Sequence, residues 1–182
     1  GFVEPAGAFS TGPPAAHTGA PGETTCIECH QHIPGAGTIT ITAPAEYAVG
    51  QTYQIVVRHT TTDTSRQRWG FQLTALANNT QAGTLASTSG TTQVIADNGR
   101  QYIEHTLAGT FPLTTNTVFW TFNWTAPAEN IGPVTFYAAG NQANNDGNST
   151  GDRILTTTAT AQAPAVQPMA RSPFDFDGDG KT

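Results

Sequence analysis

The sequence predicts an all-β protein, an antiparallel β-sandwich preceded by an extended N-terminal arm. From Thr38 to about Gln162, short runs rich in Val, Ile, Thr, Phe, Tyr and Trp alternate with turn residues. No segment shows helical periodicity over three turns. Residues 1–37 are rich in Gly, Pro and small polar residues and have neither helical nor strand periodicity. These three observations place the folded core after the arm.

The β-type runs carry the pattern of a two-layer domain. They are "TITITA", "TYQIVVRH", "WGFQLTALA", "TTQVIAD", "QYIEHT", "TVFWTFNWT", "PVTFYAAG" and "RILTTTATA". In "TVFWTFNWT", alternation puts Val118, Trp120, Phe122 and Trp124 on one face and Phe119 on the other, as in a core strand. We expect the three tryptophans to pack in the core and the Thr-rich first and last runs to lie at sheet edges.

Composition narrows the function classes. The formal net charge is -6 and lysine is nearly absent, so no basic patch is available for nucleic acid. No apolar run reaches the 18 or so residues of a membrane-spanning helix. We predict three parts: the arm at 1–37, a sandwich at 38–162, and a Pro-rich linker with an Asp-rich loop at 163–182. The first residues lack signal-peptide features, so an exported chain would already have lost that peptide.

The segment "TTCIECHQH" contains the only two cysteines, Cys26 and Cys29, followed at once by His30. A disulfide between them would close a tiny strained loop. A thioredoxin-like dithiol needs a helix N-terminus within a βαβ unit, and a zinc site needs two further ligands, for which His32 and His17 are the candidates beside His30. Covalent haem accounts for all three residues together, because two thiols add to the porphyrin vinyl groups and the histidine lies under the iron.

"CIECH" resembles the haem-attachment motif of c-type cytochromes. The resemblance implies one haem c attached through Cys26 and Cys29, with His30 as the proximal iron ligand. It also implies export, to the periplasm, the cell surface or the exterior, because such haems are attached outside the cytoplasm. The arm is therefore expected to bear the haem.

A second resemblance covers more of the chain. "TGAPGETTCIECH", "GQTYQIVV", "WGFQL", "QYIEHT", "FNWTAP" and "GPVTFYAAGNQANNDG" follow one another as in bacterial domains related to the reelin N-terminal (reeler) domain, from about Thr18 to Ile154. The resemblance implies an immunoglobulin-like β-sandwich in an exported or surface-anchored protein. It does not by itself imply an enzyme.

The sixth iron ligand has several candidates. His105, in "QYIEHT", ranks first because it lies in the most recognisable His-containing strand of the resemblance, and His17 on the arm ranks second. His32 is too near His30 along the chain to reach the opposite haem face. His59 is expected to be a solvated strand-end residue, and the lone Met169 an incidental residue of the Pro-rich segment.

The last run, "DFDGDGKT", resembles the start of a calcium-binding loop. Asp175, Asp177 and Asp179 alternate and are followed by Gly180, which permits the sharp turn. The run stops before the position that supplies the bidentate acid. Two interpretations therefore remain: calcium bound with help from another segment or subunit, or a disordered acidic tail.

Two functions follow from these features. The first is an exported monohaem cytochrome that carries electrons to redox partner proteins or an extracellular acceptor, either diffusing or assembled as a homo-polymeric filament. The second is a surface adhesion or structural module in which haem is auxiliary. An enzyme is not expected, because no paired carboxylates, nucleophile–His arrangement or phosphate loop is present. Assembly is suggested by the arm, which has too few apolar residues to fold alone and could pair with a neighbour's sheet edge.

Overall fold

A computed structural model describes residues 9–163 and residue 165. Ten strands and two short 3-10 helices form within them. The strands are β1 (Thr38–Thr42), β2 (Thr52–Thr60), β3 (Arg68–Ala77), β4 (Thr80–Gln81), β5 (Thr84–Ser87), β6 (Thr92–Asp97), β7 (Arg100–His105), β8 (Thr117–Thr125), β9 (Val134–Ala143) and β10 (Arg153–Ala161); the 3-10 helices are Cys26–Glu28 and Ala108–Thr110. Among these elements no helix is long and apolar enough to cross a bilayer.

The strands form two antiparallel sheets. The first has the order β1-β2-β8-β5, and the second has the order β10-β9-β3-β7-β6, with β4 paired to β3. The predicted antiparallel β-sandwich is confirmed, and so is the placement of the Thr-rich strands β1 and β10 at sheet edges. β4 and β5 were not predicted, because "TQ" and "TLAS" are short and lack aromatic residues.

The core lies between the sheets. Val118, Trp120, Phe122 and Trp124 of β8 are buried, whereas Phe119 is 51% exposed, as alternation predicts. The three tryptophans are all buried in the core, Trp69 included, and Trp124 packs edge-on against Phe136 of the other sheet. Contacts between the inner faces thus hold the two layers together.

The first half of the arm covers the outer face of the second sheet. The Gln72 side chain of β3 accepts a hydrogen bond from the backbone N–H of His17 at 2.8 Å and donates one to the carbonyl of Pro14 at 2.9 Å. Glu23, in "GAPGE", forms an ion pair with Arg100 and accepts a hydrogen bond from the Tyr102 hydroxyl at 2.9 Å. As a result, β3 is buried along nearly its whole length.

The second half of the arm lies beside the start of β10. The N–H of Gln31 donates to the Ser149 carbonyl at 2.7 Å, and that of Ile33 donates to the Asp152 carbonyl at 2.8 Å. His32 and Asp152 form a parallel β-bridge. The guanidinium of Arg153 then donates to the Ala36 carbonyl at 2.5 Å.

These contacts order the arm within its own chain. The sequence left two possibilities, pairing with a neighbour's sheet edge or folding back over the chain's own sandwich, and here β10 and the outer face of the second sheet supply the arm's partners. A homo-polymer would have to rest on other surfaces.

Candidate functional site

A cavity of about 320 Å³ lies between the arm and one end of the second sheet. Its wall contains the predicted haem-attachment residues Cys26, Cys29 and His30 together with both ranked distal candidates, His17 and His105. The rest of the wall comes mainly from apolar arm residues, β3, β9 and the loop before β10: Phe9, Ser10, Pro13, Arg68, Trp69, Gly70, Phe71, Thr110, Asn141, Ala143, Asn145, Gly147, Asn148 and Asp152. Such a largely apolar cavity with a few converging polar groups is typical of a cofactor site.

A single turn presents the motif to this cavity. The 3-10 helix Cys26–Glu28 begins after Thr25, whose hydroxyl accepts a hydrogen bond from the Ile27 N–H at 3.3 Å. The N–H of His30 donates to the Cys26 carbonyl at 2.9 Å. The tight turn brings both thiols and the imidazole to one wall, which their spacing in the sequence required.

The two thiols are free and sit where the thiolate is disfavoured. Burial raises the pKa of the half-buried Cys26 to about 12, and burial together with the Glu28 carboxylate raises the pKa of Cys29. A redox dithiol needs the opposite shift, toward a reactive thiolate. The setting therefore argues against the dithiol alternative.

His30 is oriented by a buried carboxylate. Its Nδ1 lies 2.6 Å from Oδ2 of Asp152, which has no exposed surface. The same oxygen accepts from the Asn141 amide at 3.2 Å, and Oδ1 accepts from the backbone N–H of Asn144 at 3.2 Å. Because a carboxylate only accepts, Nδ1 donates in this contact, and Nε2 is the ring nitrogen left for another partner.

His105 is held by the backbone of β3. The β3–β7 ladder has only two registered pairs, Gln72↔Glu104 and Leu73↔Ile103. Beyond them, Nδ1 of His105 lies 3.1 Å from the Phe71 N and 3.2 Å from the Phe71 carbonyl oxygen. Nε2 makes a long contact of 3.3 Å with the Phe9 carbonyl on the arm. Burial lowers the pKa of His105, which favours the neutral form of the ring that iron ligation requires.

Gly70 makes room for the His105 ring. A Cβ atom at this position would lie 2.8 Å from Cε1 of the imidazole, closer than packed carbon atoms approach. The glycine therefore lets the ring enter the end of the sheet, next to the cavity.

His17 has partners on both ring nitrogens. Nδ1 lies 2.9 Å from the Ala15 carbonyl and 3.0 Å from the Pro14 carbonyl, and Nε2 lies 3.0 Å from the Glu28 carboxylate. The Glu28 side chain is 59% exposed. His17 thus lines the cavity, but its Nε2 is already engaged by an acid from the motif turn.

The remaining candidates lie elsewhere. Nδ1 of His32 accepts from the backbone N–H of Ile154 at 3.0 Å, at the start of β10. The expectation of a solvated His59 is wrong, because the ring is fully buried between Trp69 and Trp120. Alternation along β2 points the His59 side chain toward the other sheet, and the core extends far enough along β2 to bury it. Met169 and the aspartates Asp175, Asp177 and Asp179 lie outside the described residues.

The cavity residues fit a covalently attached haem. Two thiols, an imidazole with a free Nε2 and an apolar wall surround one volume. In the part of the chain that the structure describes, no three His, Cys, Asp or Glu side chains converge tightly enough to hold a bare metal ion.

Sequence reasoning missed Asp152, Gly70 and Arg68. Asp152 lies 122 positions from His30, and no spacing rule links them. The run "NNDGNSTGD" between β9 and β10 is rich in Asn, Asp and Gly, which indicates a long polar loop, and that loop is the one signal in the sequence that points toward Asp152.

Comparisons with known proteins yield no assignment. No protein-family model matches the sequence, and neither does any curated protein. A DUF4466 family protein from Parabacteroides merdae is 12% identical over 68% of this chain, with a TM-score of 0.40, and the chain spans 43% of that protein. AggA, the major subunit of aggregative adherence fimbriae type I from Escherichia coli, is 15% identical over 74% of this chain and all of its own, with a TM-score of 0.38. The collagen-binding subdomain of the Enterococcus faecalis surface protein ACE is 8% identical over 66% of this chain and 98% of its own, with a TM-score of 0.34. Likenesses this weak carry no argument about function.

Proposed function

We propose that this chain is an exported c-type cytochrome that holds one haem in the arm-covered cavity and transfers single electrons. The observation that carries the proposal is the placement of Cys26, Cys29 and His30 on one cavity wall, with His30 held through Nδ1 by buried Asp152. Haem iron accepts and releases one electron without a change in its bonds to the protein. Residues of this chain would attach the haem, ligate its iron and line its cavity.

Each of these residues has a distinct role in the proposal. Cys26 and Cys29 would hold the haem through thioethers to its two vinyl groups. His30 would ligate the iron through Nε2, and Asp152 would orient the ring and raise its basicity. Trp69 and Phe71 give part of the wall an apolar surface, which would lower the local dielectric constant around the haem and so influence its reduction potential.

His105 is the proposed sixth ligand. Nδ1 of His105 contacts the Phe71 carbonyl, just as Nδ1 of His30 contacts Asp152. Nε2 is therefore the His105 nitrogen available for a ligand in the cavity. The only partner of Nε2 in the described residues is the 3.3 Å contact with Phe9, a long hydrogen bond that ligation would replace. His17 would first have to release Glu28. Two histidine ligands leave no open iron position, which favours electron transfer over catalysis.

The proposal is tested on protein exported by a host that performs cytochrome c maturation. The denatured wild-type chain is expected to keep a haem-sized mass increment and porphyrin absorbance, and Cys26→Ser with Cys29→Ser to lose both. Two free thiols without porphyrin absorbance in the wild-type chain would overturn the proposal. His30→Ala is expected to change the absorption spectrum of the haem iron, whereas the matched control His32→Ala should keep the wild-type spectrum, because His32 lies on the same arm but outside the cavity wall.

An adhesion or structural module is the second candidate function. It is favoured by the strand order, because β1 and β5 end the first sheet and β10 and β6 end the second, and such sheet edges can pair with a strand of another chain. An exported sandwich without covalent haem, binding to a surface with unchanged strength after Cys26→Ser, would support this function over electron transfer.

Assembly into a filament is tested separately. Sedimentation of the native holoprotein over a range of concentrations, with and without calcium, distinguishes a polymer from a discrete 19.0 kDa species. A persistent monomer indicates a diffusing carrier that meets its redox partner or extracellular acceptor in solution. The comparison of samples with and without calcium also tests the predicted role of Asp175, Asp177 and Asp179.

A further inference from the structure

The cavity contains a cation without an anion. Five arginines lie in the described residues, at positions 58, 66, 68, 100 and 153. Three of them form ion pairs: Arg66 and Arg153 with Asp63, and Arg100 with Glu23. Arg58 is on an exposed strand position, with its guanidinium 4.9 Å from the centre of the Phe119 ring.

Arg68 differs from all of these. It lines the cavity, and within the described residues its side chain makes one long hydrogen bond, 3.4 Å from Nη1 to Oδ1 of Asn145. Its Nε is buried and has no partner in the described part of the chain. The one carboxylate on the cavity wall, that of Asp152, is engaged by His30 and Asn141.

A buried or half-buried guanidinium that lacks an acceptor is costly, because the charge has lost water without gaining a partner. The cost is removed when a bound molecule brings a carboxylate or phosphate into the cavity, and the planar fork of arginine suits either. An acidic group is therefore part of what this cavity binds.

We infer that Arg68 binds a propionate carboxylate of the haem held by Cys26, Cys29 and His30. This inference rests on the proposed function and adds the orientation of the haem to it: the edge that bears the thioethers faces the arm, and an edge that bears propionate faces the start of β3. The salt bridge also places a fixed positive charge near the iron, which favours the reduced state.

The experiment uses the full-length holoprotein and three variants: Arg68→Gln, Arg68→Lys and Arg58→Gln. Haem content is measured first, by denatured mass and absorbance, so that absence of haem from the wild-type chain overturns the proposed function before any variant is compared. The midpoint potential and the resonance Raman propionate bending mode are then recorded for each protein. Arg58→Gln removes the same charge from a strand of the other sheet and serves as the control.

Arg68→Gln is expected to lower the midpoint potential and to shift the propionate mode. At a fixed potential, the ferrous-to-ferric ratio should fall roughly tenfold, the scale of a unit charge removed about 10 Å from the iron at an effective dielectric constant of about 20. Arg68→Lys should restore most of the potential, and Arg58→Gln should change neither measurement. A haem-loaded Arg68→Gln protein with a wild-type potential, or with a shifted potential and an unchanged propionate mode, would overturn the inference while leaving the cytochrome assignment intact.

Discussion

Nδ1 of His30 lies 2.6 Å from Oδ2 of Asp152, a carboxylate with no exposed surface, across 122 positions of sequence. The contact joins the arm to the loop that precedes β10. The contact fixes the orientation of the His30 ring. The group that fixes it, Asp152, belongs to the sandwich and not to the Cys26–His30 segment. The carboxylate in turn accepts hydrogen bonds from the Asn141 side chain and from the backbone N–H of Asn144. The orientation of the His30 ring is therefore fixed relative to the second sheet.

Replacing Asp152 by Asn is expected to raise the midpoint potential of the haem. The amide keeps the shape of the side chain but removes the negative charge that makes His30 a stronger electron donor to ferric iron. The fold should also lose about 1–3 kcal/mol, because a buried charge-assisted hydrogen bond is weakened. A redox titration and denaturant unfolding measure the two effects.

Asp146→Asn is the control for that change. Asp146 lies in the same loop and is exposed, and its hydrogen bonds are to Asn144 and Asn148. Equal potentials for Asp152→Asn and the wild type would show that His30 does not ligate the iron.

His105→Ala is expected to convert low-spin iron to high-spin iron without preventing haem attachment. The variant removes the proposed sixth ligand and leaves Cys26, Cys29 and His30 in place. Optical and electron paramagnetic resonance spectra of the purified holoprotein provide the measurement. A low-spin spectrum that survives in His105→Ala but is lost in His17→Ala would transfer the sixth position to His17.

Gly70→Ala is expected to displace the His105 ring, the proposed sixth ligand, while leaving the histidine itself in place. The added Cβ would meet Cε1 of His105 at 2.8 Å, so the ring must move or the strands must separate. We expect a loss of about 1–3 kcal/mol in the free energy of unfolding and a partial shift toward high-spin iron.

Gly90→Ala is the matched control, since a Cβ there meets nothing within 4 Å. Its free energy of unfolding should stay within about 0.5 kcal/mol of the wild type. If both alanine variants behave alike, Gly70 has no role in seating His105.

Stability is expected to fall as the pH falls below about 6.5 because of His59. Burial lowers the pKa of this fully buried histidine from 6.5 to about 3 in the folded protein. Between these values the unfolded chain binds a proton that the folded chain does not, so the contribution is complete above pH 6.5 and is lost toward pH 3. The slope attributable to His59 is up to about 1.4 kcal/mol per pH unit.

Denaturant unfolding at pH 7, 6 and 5 measures this slope. His59→Gln is expected to be less stable at pH 7, because it disrupts the packing against Trp69 and Trp120, but to show a smaller decline on acidification. The remaining decline would reflect other groups, among them His105, whose pKa burial also lowers. Identical slopes for the variant and the wild type would contradict the assignment to His59.

Arg153→Met is expected to loosen the second half of the arm. The guanidinium donates to the Ala36 carbonyl at 2.5 Å and to the Thr61 hydroxyl at 3.3 Å, and it pairs with Asp63 at 3.1 Å. Its loss should increase amide hydrogen exchange in residues 31–37 by at least several-fold, because local opening there no longer breaks these bonds.

Arg58→Met removes an exposed arginine from β2 and should leave exchange in the arm unchanged. Unchanged exchange in Arg153→Met would mean that the backbone pairing of Gln31 and Ile33 alone secures the arm.

The sequence alone determined the fold class, the core face of β8 and the edge positions of β1 and β10; the haem-attachment role of Cys26, Cys29 and His30 stays a prediction. These features follow from local rules: alternation reports which face of a strand is buried, and a covalent motif is read from adjacent residues. β5 escaped prediction because four small residues carry no such periodicity.

Only the tertiary structure decided where the arm lies and what surrounds the motif. The pairing of His30 with Asp152, the seating of His105 beside Gly70, and the isolation of Arg68 in the cavity wall all join distant parts of the chain. The burial of His59 has the same origin, since a strand-end histidine is covered only if the opposite sheet extends over it. Such contacts depend on how the two sheets and the arm pack in space, and that packing is a property of the whole chain rather than of any short segment.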